Sequence, residues 1–326
     1  MIDWGDWSMN STFDVDKLKT EHLISDEYIQ SVENTLGNNI AEFYNHYIIT
    51  HYCKLQELEE SLTNNVFRKM LDMKEVNSFK SRVKDPYHFV AKLVRKVITK
   101  NDYRNVNLEN YHLFFDDLLG FRLILLYQED WFTVQNALFE HFDFDPQRLF
   151  KKGENVGSVY SGNKPVVVSM PEIKIRAGDD ESVYFDKCSE LSEKPFVINR
   201  GKYYRSIHYS VYLEGYLFEV QVRSVFDEAW GEVDHDVLYP KFLKNSELVG
   251  YSKMLNRVTG LGNEMSSFFR VLGQNTAPTT EPTLDTTPDE LQLVHTEHNA
   301  RVNHENPILE KHLKTVDQII SYILEE

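Results

Sequence analysis

Apolar side chains in the early part of the chain follow a helical period. Over residues 26–75 they recur three and four positions apart, as in Tyr28, Val32 and Leu36. This spacing places them on one face, so the segment is predicted to be helical and to pack by that face. The same spacing predicts helices over 89–98, opened by Asp85 and Pro86 as N-cap and first-turn proline, and over 131–142, 226–237 and 246–272.

Shorter apolar runs in the second half of the chain predict β-strands. The runs at 207–213 and 216–223 flank Glu214-Gly215, a dipeptide typical of a tight hairpin turn. Residues 176–200 are predicted to be a long polar excursion with no assigned role. Together the runs indicate an α/β (α+β) fold, a mixed β-sheet flanked by helices. The remaining predicted strands are Phe121–Tyr127, Val166–Ser169 and Ile173–Ile175.

The composition changes after residue 272. Residues 273–290 are rich in threonine and proline, which is typical of a linker. The tail at 291–326 ends in an amphipathic helix, whose apolar stripe must pack on the core, on a second copy in a homo-oligomer, or on another protein. We therefore divide the chain into an acidic, helical N-terminal extension (1–74), a main domain with its following helices (75–272), the linker and the helical C-terminal tail.

Net charge is distributed unevenly along the chain. The 326 residues carry a formal charge of −16, which taken whole argues against a nucleic-acid coat or an anionic-membrane binder. However, residues 1–35 hold eight acidic and two basic side chains, and residues 273–326 hold ten acidic and three basic. Residues 78–104 hold eight basic and two acidic side chains. A cationic segment thus lies inside a nearly neutral middle region, which suits a phosphate-rich substrate.

Cysteine usage and the N-terminus predict a cytoplasmic protein. Cys53 and Cys188 are the only cysteines and match no metal-ligand spacing, which favours a reducing compartment. The N-terminal residues lack the basic and apolar regions of a signal peptide. No apolar run approaches the roughly 20 residues that span a bilayer, so no membrane partner is expected.

The segment Tyr216–Tyr239 carries the most informative chemistry. Alternation in a strand turns Phe218, Val220 and Val222 toward the core. Glu219, Gln221 and Arg223 then share the other face, either as a functional polar row or as an ordinary solvated face.

A second candidate is the acidic pair Asp116-Asp117, which precedes a predicted buried strand. A carboxylate there can hold Mg²⁺ with few protein ligands, because the ion keeps water and substrate phosphate oxygens for its other positions. If Asp117 and Glu219 lie on neighbouring strands, they could share such an ion. The alternative is that the acidic pair caps a turn.

Two cationic segments could bind a nucleotide. In SRVKDPYHFVAKLVRK (81–96), arginine and lysine side chains could clamp a polyphosphate, although charge runs are usually solvated helix faces. In RGKYYRSIH (200–208), cations alternate with aromatic side chains, which suits stacking on a base beside a phosphate.

Four of these segments occur in an order that resembles one family. They are SRVK (81–84), DLLGFR (117–122), YRSIH (204–208) and EVQVRSVFDEAWGEVDHDVLYP (219–240). Together they resemble the synthetase domain of RelA/SpoT-type pyrophosphokinases, in particular the small alarmone synthetases. The resemblance implies a nucleotidyltransferase-like fold. It also implies a GTP/GDP pyrophosphokinase, which transfers pyrophosphate from ATP to the 3′-hydroxyl of GTP or GDP and makes (p)ppGpp, the alarmone of the stringent response.

The resemblance also implies a role for each matching residue. Asp117 and Glu219 would be catalytic and would hold Mg²⁺, and Glu219 would also draw the proton from the 3′-hydroxyl. The chain departs from the family pattern at Tyr203, which replaces a glycine, and at Ser224, which replaces a threonine and keeps the hydroxyl. The implied ATP-binding residues are Arg82, Lys84, Lys92 and Arg122, and the implied acceptor-binding residues are Lys202, Tyr204, His208, Gln221, Arg223 and His235.

Two other functions fit the same residues. Some relatives are toxins that pyrophosphorylate the 3′ end of tRNA, and the C-terminal tail could then be a neutralising segment. A catalytically silent nucleotide-binding regulator is the third possibility, although it would have no need of Asp117 and Glu219. The tail also holds four histidines, which are interpreted as part of an exposed polar segment and not as a zinc site: His295, His298, His304 and His312.

Overall fold

The computed structural model describes residues 13–145, 153, 166–176, 197–201, 205–238, 242 and 245–275. The chain divides into two units, Met1–Asn256 and Arg257–Glu326. Within the second unit the described residues are 257–275, the C-terminal part of one helix. The predicted linker and tail beyond residue 275 lie outside the described residues.

The helices follow the predicted apolar periodicity. Asp85 caps α6 as expected, because its Oδ1 accepts hydrogen bonds from the backbone N–H groups of Tyr87 (2.9 Å) and His88 (3.0 Å). The predicted segment 26–75 is helical over most of its length, with two π-helical stretches at Tyr47–Tyr52 and Thr63–Phe67. The helices are α1 (Val15–His22), α2 (Asp26–Leu36), α3 (Ile40–His46), α4 (Cys53–Leu62), α5 (Arg68–Met70), α6 (Pro86–Thr99), α7 (Trp131–His141), α8 (Val225–Val237) and α9 (Ser246–Asn275).

Within the described residues, seven strands form one mixed sheet, which confirms the predicted fold class. The strand order is β1-β2-β7-β6-β4-β3, and β5 also pairs with β4. Pairs β2–β7, β3–β4 and β4–β5 are parallel, and the other pairs are antiparallel. The strands are β1 (Val76–Val83), β2 (Leu119–Leu125), β3 (Asp143–Asp145), β4 (Val166–Arg176), β5 (Val197–Gly201), β6 (Ser206–Leu213) and β7 (Tyr216–Ser224).

The structure corrects three sequence predictions. The end of the predicted polar excursion, Val197–Gly201, is a strand, because it pairs in parallel with β4 at the sheet edge. The two predicted runs at 166–169 and 173–175 are one strand, whose irregular register between Val168 and Glu172 accommodates Pro171. Helix α9 continues to Asn275, three residues into the predicted linker.

The two faces of the sheet differ in chemistry. The apolar face is buried, and Phe121 of β2 stacks on Phe67 with ring centroids 4.0 Å apart. Phe218, Val220 and Val222 are buried on this face, as the alternation in β7 predicted. Among the described residues, no helix is long and apolar enough to cross a membrane.

A histidine cluster is buried beside the start of β7. The Nδ1 atom of His51 lies 2.8 Å from the hydroxyl oxygen of Tyr216, and the His51 ring lies 4.9 Å from the ring of His112. Burial, followed by the charges of His112, His46 and Lys54, lowers the pKa of His51 to about 4. His51 is therefore neutral in the folded protein at pH 7.

We expect this cluster to make the fold acid-sensitive. Between pH 6.5 and pH 4 the unfolded chain takes up a proton at His51 that the folded chain does not, so stability falls by up to about 3 kcal/mol as the pH falls. The measurement is urea unfolding at several pH values between 7.5 and 4.5. His51→Gln should lower the free energy of unfolding at pH 7.5 but reduce the amount by which it falls between pH 7.5 and pH 4.5. His141→Gln should leave this fall unchanged. Equal declines in wild type and His51→Gln would contradict the expectation.

Candidate active site

The polar face of the sheet brings half of the predicted site residues together. Adjacent strands place side chains in register, so that Arg122 on β2 lies opposite Gln221 on β7, and Gln221 lies opposite His208 on β6. Glu219 pairs in the same way with Gly120. The polar row predicted on β7 is thus one line of a wider surface, which we call the polar face. Its members are Lys80, Arg82, Gly120, Arg122, Glu172, Lys174, Ser206, His208, Ser210, Glu219, Gln221 and Arg223.

Glu219 is held as a carboxylate in the middle of the polar face. Gln221 Nε2 donates a hydrogen bond to Glu219 Oε2 at 2.6 Å, and His208 Nδ1 contacts Glu219 Oε1. Lys174 Nζ lies 3.2 Å from His208 Nδ1. Burial opposes ionisation, but the charge and hydrogen bond of His208, with Gln221 and Lys174, lower the pKa of Glu219 to about 2. Glu219 is consequently ionised and oriented before any substrate binds.

Asp117 is the second carboxylate of the site and lies two residues before β2. Its Oδ2 accepts from Lys84 Nζ at 2.9 Å and from Lys92 Nζ at 2.5 Å. Burial opposes ionisation here also, yet these two ammonium groups hold the pKa of Asp117 well below its usual range. Burial lowers the pKa of Lys84, although Asp117 opposes this. The fold therefore brings Lys84 and Lys92, two of the implied ATP-binding residues, into ion pairs with Asp117.

The surroundings of Asp117 fit a divalent cation. Its Oδ1 is buried and has no hydrogen-bond partner among the described residues, so one carboxylate oxygen is available. Strands β2 and β7 are neighbours, and Gly120 places no side chain beside Glu219 on the polar face. Carboxylate oxygens are the donors that Mg²⁺ prefers. These residues therefore fit the Mg²⁺ site that the sequence resemblance implied.

Two acidic residues of α8 that sequence reasoning missed complete the polar face. Arg122 Nη1 donates to Glu228 Oε1 at 2.7 Å and to Glu232 Oε1 at 2.8 Å. Arg122 Nε donates to Gln221 Oε1 at 3.2 Å, and Lys80 Nζ lies 2.9 Å from Glu228 Oε1. The four-residue spacing of Glu228 and Glu232 on one helix face was the available signal. These contacts hold the edges of the Arg122 guanidinium group.

Arg223 lies inside the protein at the end of β7. Its Nη2 donates to Gln221 Oε1 at 2.9 Å, its Nη1 to Glu228 Oε2 at 3.3 Å and its Nε to Ser206 Oγ at 3.3 Å. Burial lowers the pKa of Arg223 to about 10, with Arg122 contributing. These contacts support a positioning role for Arg223, and its predicted contact with the acceptor stays a prediction. Ser224 caps α8, because its Oγ accepts from the backbone N–H of Asp227 at 3.1 Å.

Gly231 on α8 leaves room for Arg223. A Cβ atom at Gly231 would lie 2.8 Å from Arg223 Nη1, whereas one at Gly250 on α9 would meet nothing within 4 Å. Alanine is favoured over glycine in a helix by about 1 kcal/mol.

This difference makes two glycine substitutions a matched pair. Gly250→Ala should raise the free energy of unfolding by about 0.5–1 kcal/mol. Gly231→Ala should lack this gain, because Arg223 must move away from Gln221 and Glu228. It should also lower the pyrophosphate transfer that the sequence resemblance implies. Urea unfolding and initial rates measure both effects. Equal stabilisation with unchanged rates in the two variants would show that Arg223 is not held as described.

The other predicted site residues lie at the periphery or outside the described residues. Arg82 is exposed on β1 opposite Gly120. Burial and then the charge of Arg82 lower the pKa of His235, an exposed residue of α8, which indicates that the two groups are near one another. Lys202 and Tyr204, two of the predicted acceptor-binding residues, lie outside the described residues.

Comparison with known families identifies this arrangement. The family model described as "Region found in RelA / SpoT proteins" matches residues 81–243, which is half of the chain. The chain belongs to the RelA/SpoT family. All the site residues predicted from sequence, from Arg82 to His235, lie within this RelA/SpoT region. At the level of the family, the match supports (p)ppGpp synthesis by a pyrophosphotransferase.

Solved structures with similarity to the chain include small alarmone synthetases. The small alarmone synthetase 1 from Bacillus subtilis is 17% identical, with a TM-score of 0.45, and the alignment covers 71% of this chain and 97% of that one. The same enzyme bound to its product pppGpp gives 18% identity, a TM-score of 0.43 and coverage of 68% and 94%. A GTP pyrophosphokinase family protein from Streptococcus pneumoniae is 16% identical, with a TM-score of 0.41, and the alignment covers 73% of this chain and 97% of that one. At this level of similarity, these structures do not identify the substrate of this chain.

No curated protein matches the chain by sequence. The family assignment therefore rests on the matched RelA/SpoT region.

Proposed function

We propose that the protein is a Mg²⁺-dependent GTP/GDP pyrophosphokinase, which transfers the β,γ-pyrophosphoryl group of ATP to the 3′-hydroxyl of GTP or GDP. The observation that carries the proposal is a pair of ionised carboxylates inside the RelA/SpoT region, Glu219 on the polar face and Asp117 just before β2, each in contact with basic side chains. Such a transfer requires positioning and charge neutralisation more than covalent chemistry by the protein.

The ATP side of the site is assigned to the cations of β1, β2 and α6 and to Lys84, which lies between β1 and α6. Lys84 and Lys92 are held on Asp117, so their ammonium groups are fixed where a polyphosphate chain can pass. Arg82 is exposed and can contact phosphate or base. Glu228 and Glu232 hold the edge of Arg122, which leaves the flat guanidinium surface to stack on the adenine.

The acceptor side is assigned to β6 and β7. The 3′-hydroxyl oxygen forms a bond to the β-phosphorus of ATP, the bond from that phosphorus to the α–β bridging oxygen breaks, and AMP leaves. Glu219 accepts the hydroxyl proton. Its low pKa makes it a weak base, which suits a loose transition state in which the proton leaves late. His208 and Gln221 keep the carboxylate oriented.

Asp117 and Glu219 are the residues that would hold Mg²⁺. When bound, the ion would neutralise charge on the phosphate oxygens and lower the barrier to transfer. The buried Oδ1 of Asp117 supports this assignment.

The acceptor is tested by incubating the full chain with γ-labelled ATP, Mg²⁺ and GDP, GTP or deacylated tRNA in separate reactions. The proposal expects label in a guanosine tetra- or pentaphosphate, and faster labelling with GTP or GDP than with tRNA. Label on tRNA alone would overturn the guanine-nucleotide acceptor in favour of the tRNA-modifying alternative. Binding of ATP without transfer to any acceptor would favour the silent regulator.

A further inference from the structure

A second cluster of metal-ligating side chains lies where α1 meets the start of α6. His22 is the last residue of α1, Asp85 caps α6 and His88 lies in the first turn of α6. One donor atom from each lies within 4.8 Å of the others, and the two imidazole rings are 4.6 Å apart at an interplanar angle of 80°. Within the part of the chain that the structure describes, it is the only group of three or more such residues at this spacing.

Two of the three residues, His22 and Asp85, keep a ligand atom available, and His88 Nδ1 lies 3.3 Å from Asp85 Oδ1. His22 is buried, and among the described residues no hydrogen bond reaches its ring nitrogens. Burial, followed by the charges of His88 and Arg95, lowers its pKa to about 4, so the ring offers a lone pair at pH 7. The hydrogen bonds of Asp85 in the described residues all use Oδ1, which leaves Oδ2.

The positions of the three residues are fixed by contacts that do not need a metal. Arg95 Nη2 donates to the backbone carbonyl of His22 at 2.6 Å and ties the end of α1 to α6. The cap hydrogen bonds to Tyr87 and His88 hold Asp85. Ligand atoms about 2 Å from one tetrahedral ion lie roughly 3.3 Å from each other. His88 is exposed, so rotation of its side chain can bring its nitrogen closer by the roughly 1.5 Å that this separation requires.

We propose that His22, Asp85 and His88 bind a divalent transition-metal ion of the zinc class. Two imidazole nitrogens and one carboxylate oxygen suit Zn²⁺ and not Mg²⁺, which prefers an all-oxygen set. The site therefore differs in chemistry from the Asp117 and Glu219 pair. An ion here would cross-link α1 to the residue that follows Lys84, and so would join the N-terminal extension to the polar face.

The test is direct titration of the full chain, freed of metal by a chelator and then desalted. The background variant replaces the four tail histidines with asparagine, so that the tail supplies no imidazole: His295, His298, His304 and His312. Binding of Zn²⁺ from ZnCl₂ is followed by calorimetry, and binding of Co²⁺ is followed by visible absorption. We expect one ion per chain and a Co²⁺ spectrum typical of nitrogen and oxygen ligands.

Substitutions then assign the site. His88→Ala should weaken Zn²⁺ binding by more than about 100-fold. Asp85→Asn keeps the helix cap but should also weaken Zn²⁺ binding. His141→Ala is the matched control and should titrate like the background. Melting curves without metal check that each variant folds. Absence of Zn²⁺ binding in the background variant would overturn the proposal. Titrations of His88→Ala and Asp85→Asn that give the same Zn²⁺ affinity as the background variant would also overturn it.

Discussion

Replacement of Glu219 by glutamine is expected to lower the rate of pyrophosphate transfer by about 10³-fold, within the range for loss of a general base. The amide keeps the size of the carboxylate and its hydrogen bond to Gln221 but cannot take the 3′-hydroxyl proton. Binding of ATP should change little, because the ATP-binding cations lie on β1, β2 and α6. Single-turnover rates and equilibrium dialysis with labelled ATP measure the two quantities.

Glu57→Gln provides the matched control for this substitution. Glu57 is exposed on α4, away from the polar face, so the same chemical change there should leave transfer unchanged. Transfer within threefold of wild type in Glu219→Gln would show that Glu219 is not the base. A large loss of ATP binding in the same variant would instead show that Glu219 belongs to the ATP side.

Replacement of Asp117 by asparagine is expected to affect both stability and catalysis. Loss of its charge leaves Lys84 buried without its partner, so the free energy of unfolding should fall by about 3 kcal/mol, the lower end for a broken buried ion pair. Transfer should fall by at least about 10³-fold, because charge neutralisation by the metal contributes several kcal/mol. Urea unfolding and initial rates over a range of Mg²⁺ concentrations measure these effects.

Two further variants separate the two roles of Asp117. The double variant Asp117→Asn, Lys84→Met should regain most of the lost stability and stay inactive. Asp72→Asn, the same chemical change at an exposed residue outside the polar face, should keep stability and transfer close to those of wild type. Recovery of transfer in the double variant would contradict a role for Asp117 in catalysis.

Local patterns in the sequence were sufficient to predict much of this fold. Alternation in β7 predicted which side chains are buried, because side-chain direction in a strand is a local property. The N-cap at Asp85 and the turn at Glu214-Gly215 were predicted for the same reason, and Glu214 and Gly215 have the positive φ angles of 51° and 90° that a tight hairpin needs.

The features that could not be predicted depend on pairing across the chain. Val197–Gly201 has too few apolar residues to indicate a strand by itself, and β4 supplies its hydrogen-bond partners. Glu228 and Glu232 contact Arg122 from more than 100 positions away along the chain. Arg223 has the alternation of an outward residue, yet α8 covers it. Periodicity and spacing can place such residues on one face of an element, but they do not report which residues of other elements they contact.

Local charge also proved more informative than the total. The basic segment predicted at 78–104 contributes Lys80, Arg82, Lys84 and Lys92 to one region of the structure. There Asp117, Glu228 and Glu232 partly neutralise the cations before substrate binds. The net charge of −16 therefore does not exclude a polyphosphate substrate.

The central claim is that this polar face transfers an intact pyrophosphoryl group from ATP to a nucleoside 3′-hydroxyl. The most direct measurement is ³¹P NMR of a reaction of the full chain with ATP, GDP or GTP, and Mg²⁺, run beside Glu219→Gln. We expect wild type to form AMP and a guanosine 3′-diphosphate in equal amounts. Over the same time, Glu219→Gln should form neither product. Release of ADP and inorganic phosphate, or a product without a 3′-diphosphate, would contradict it.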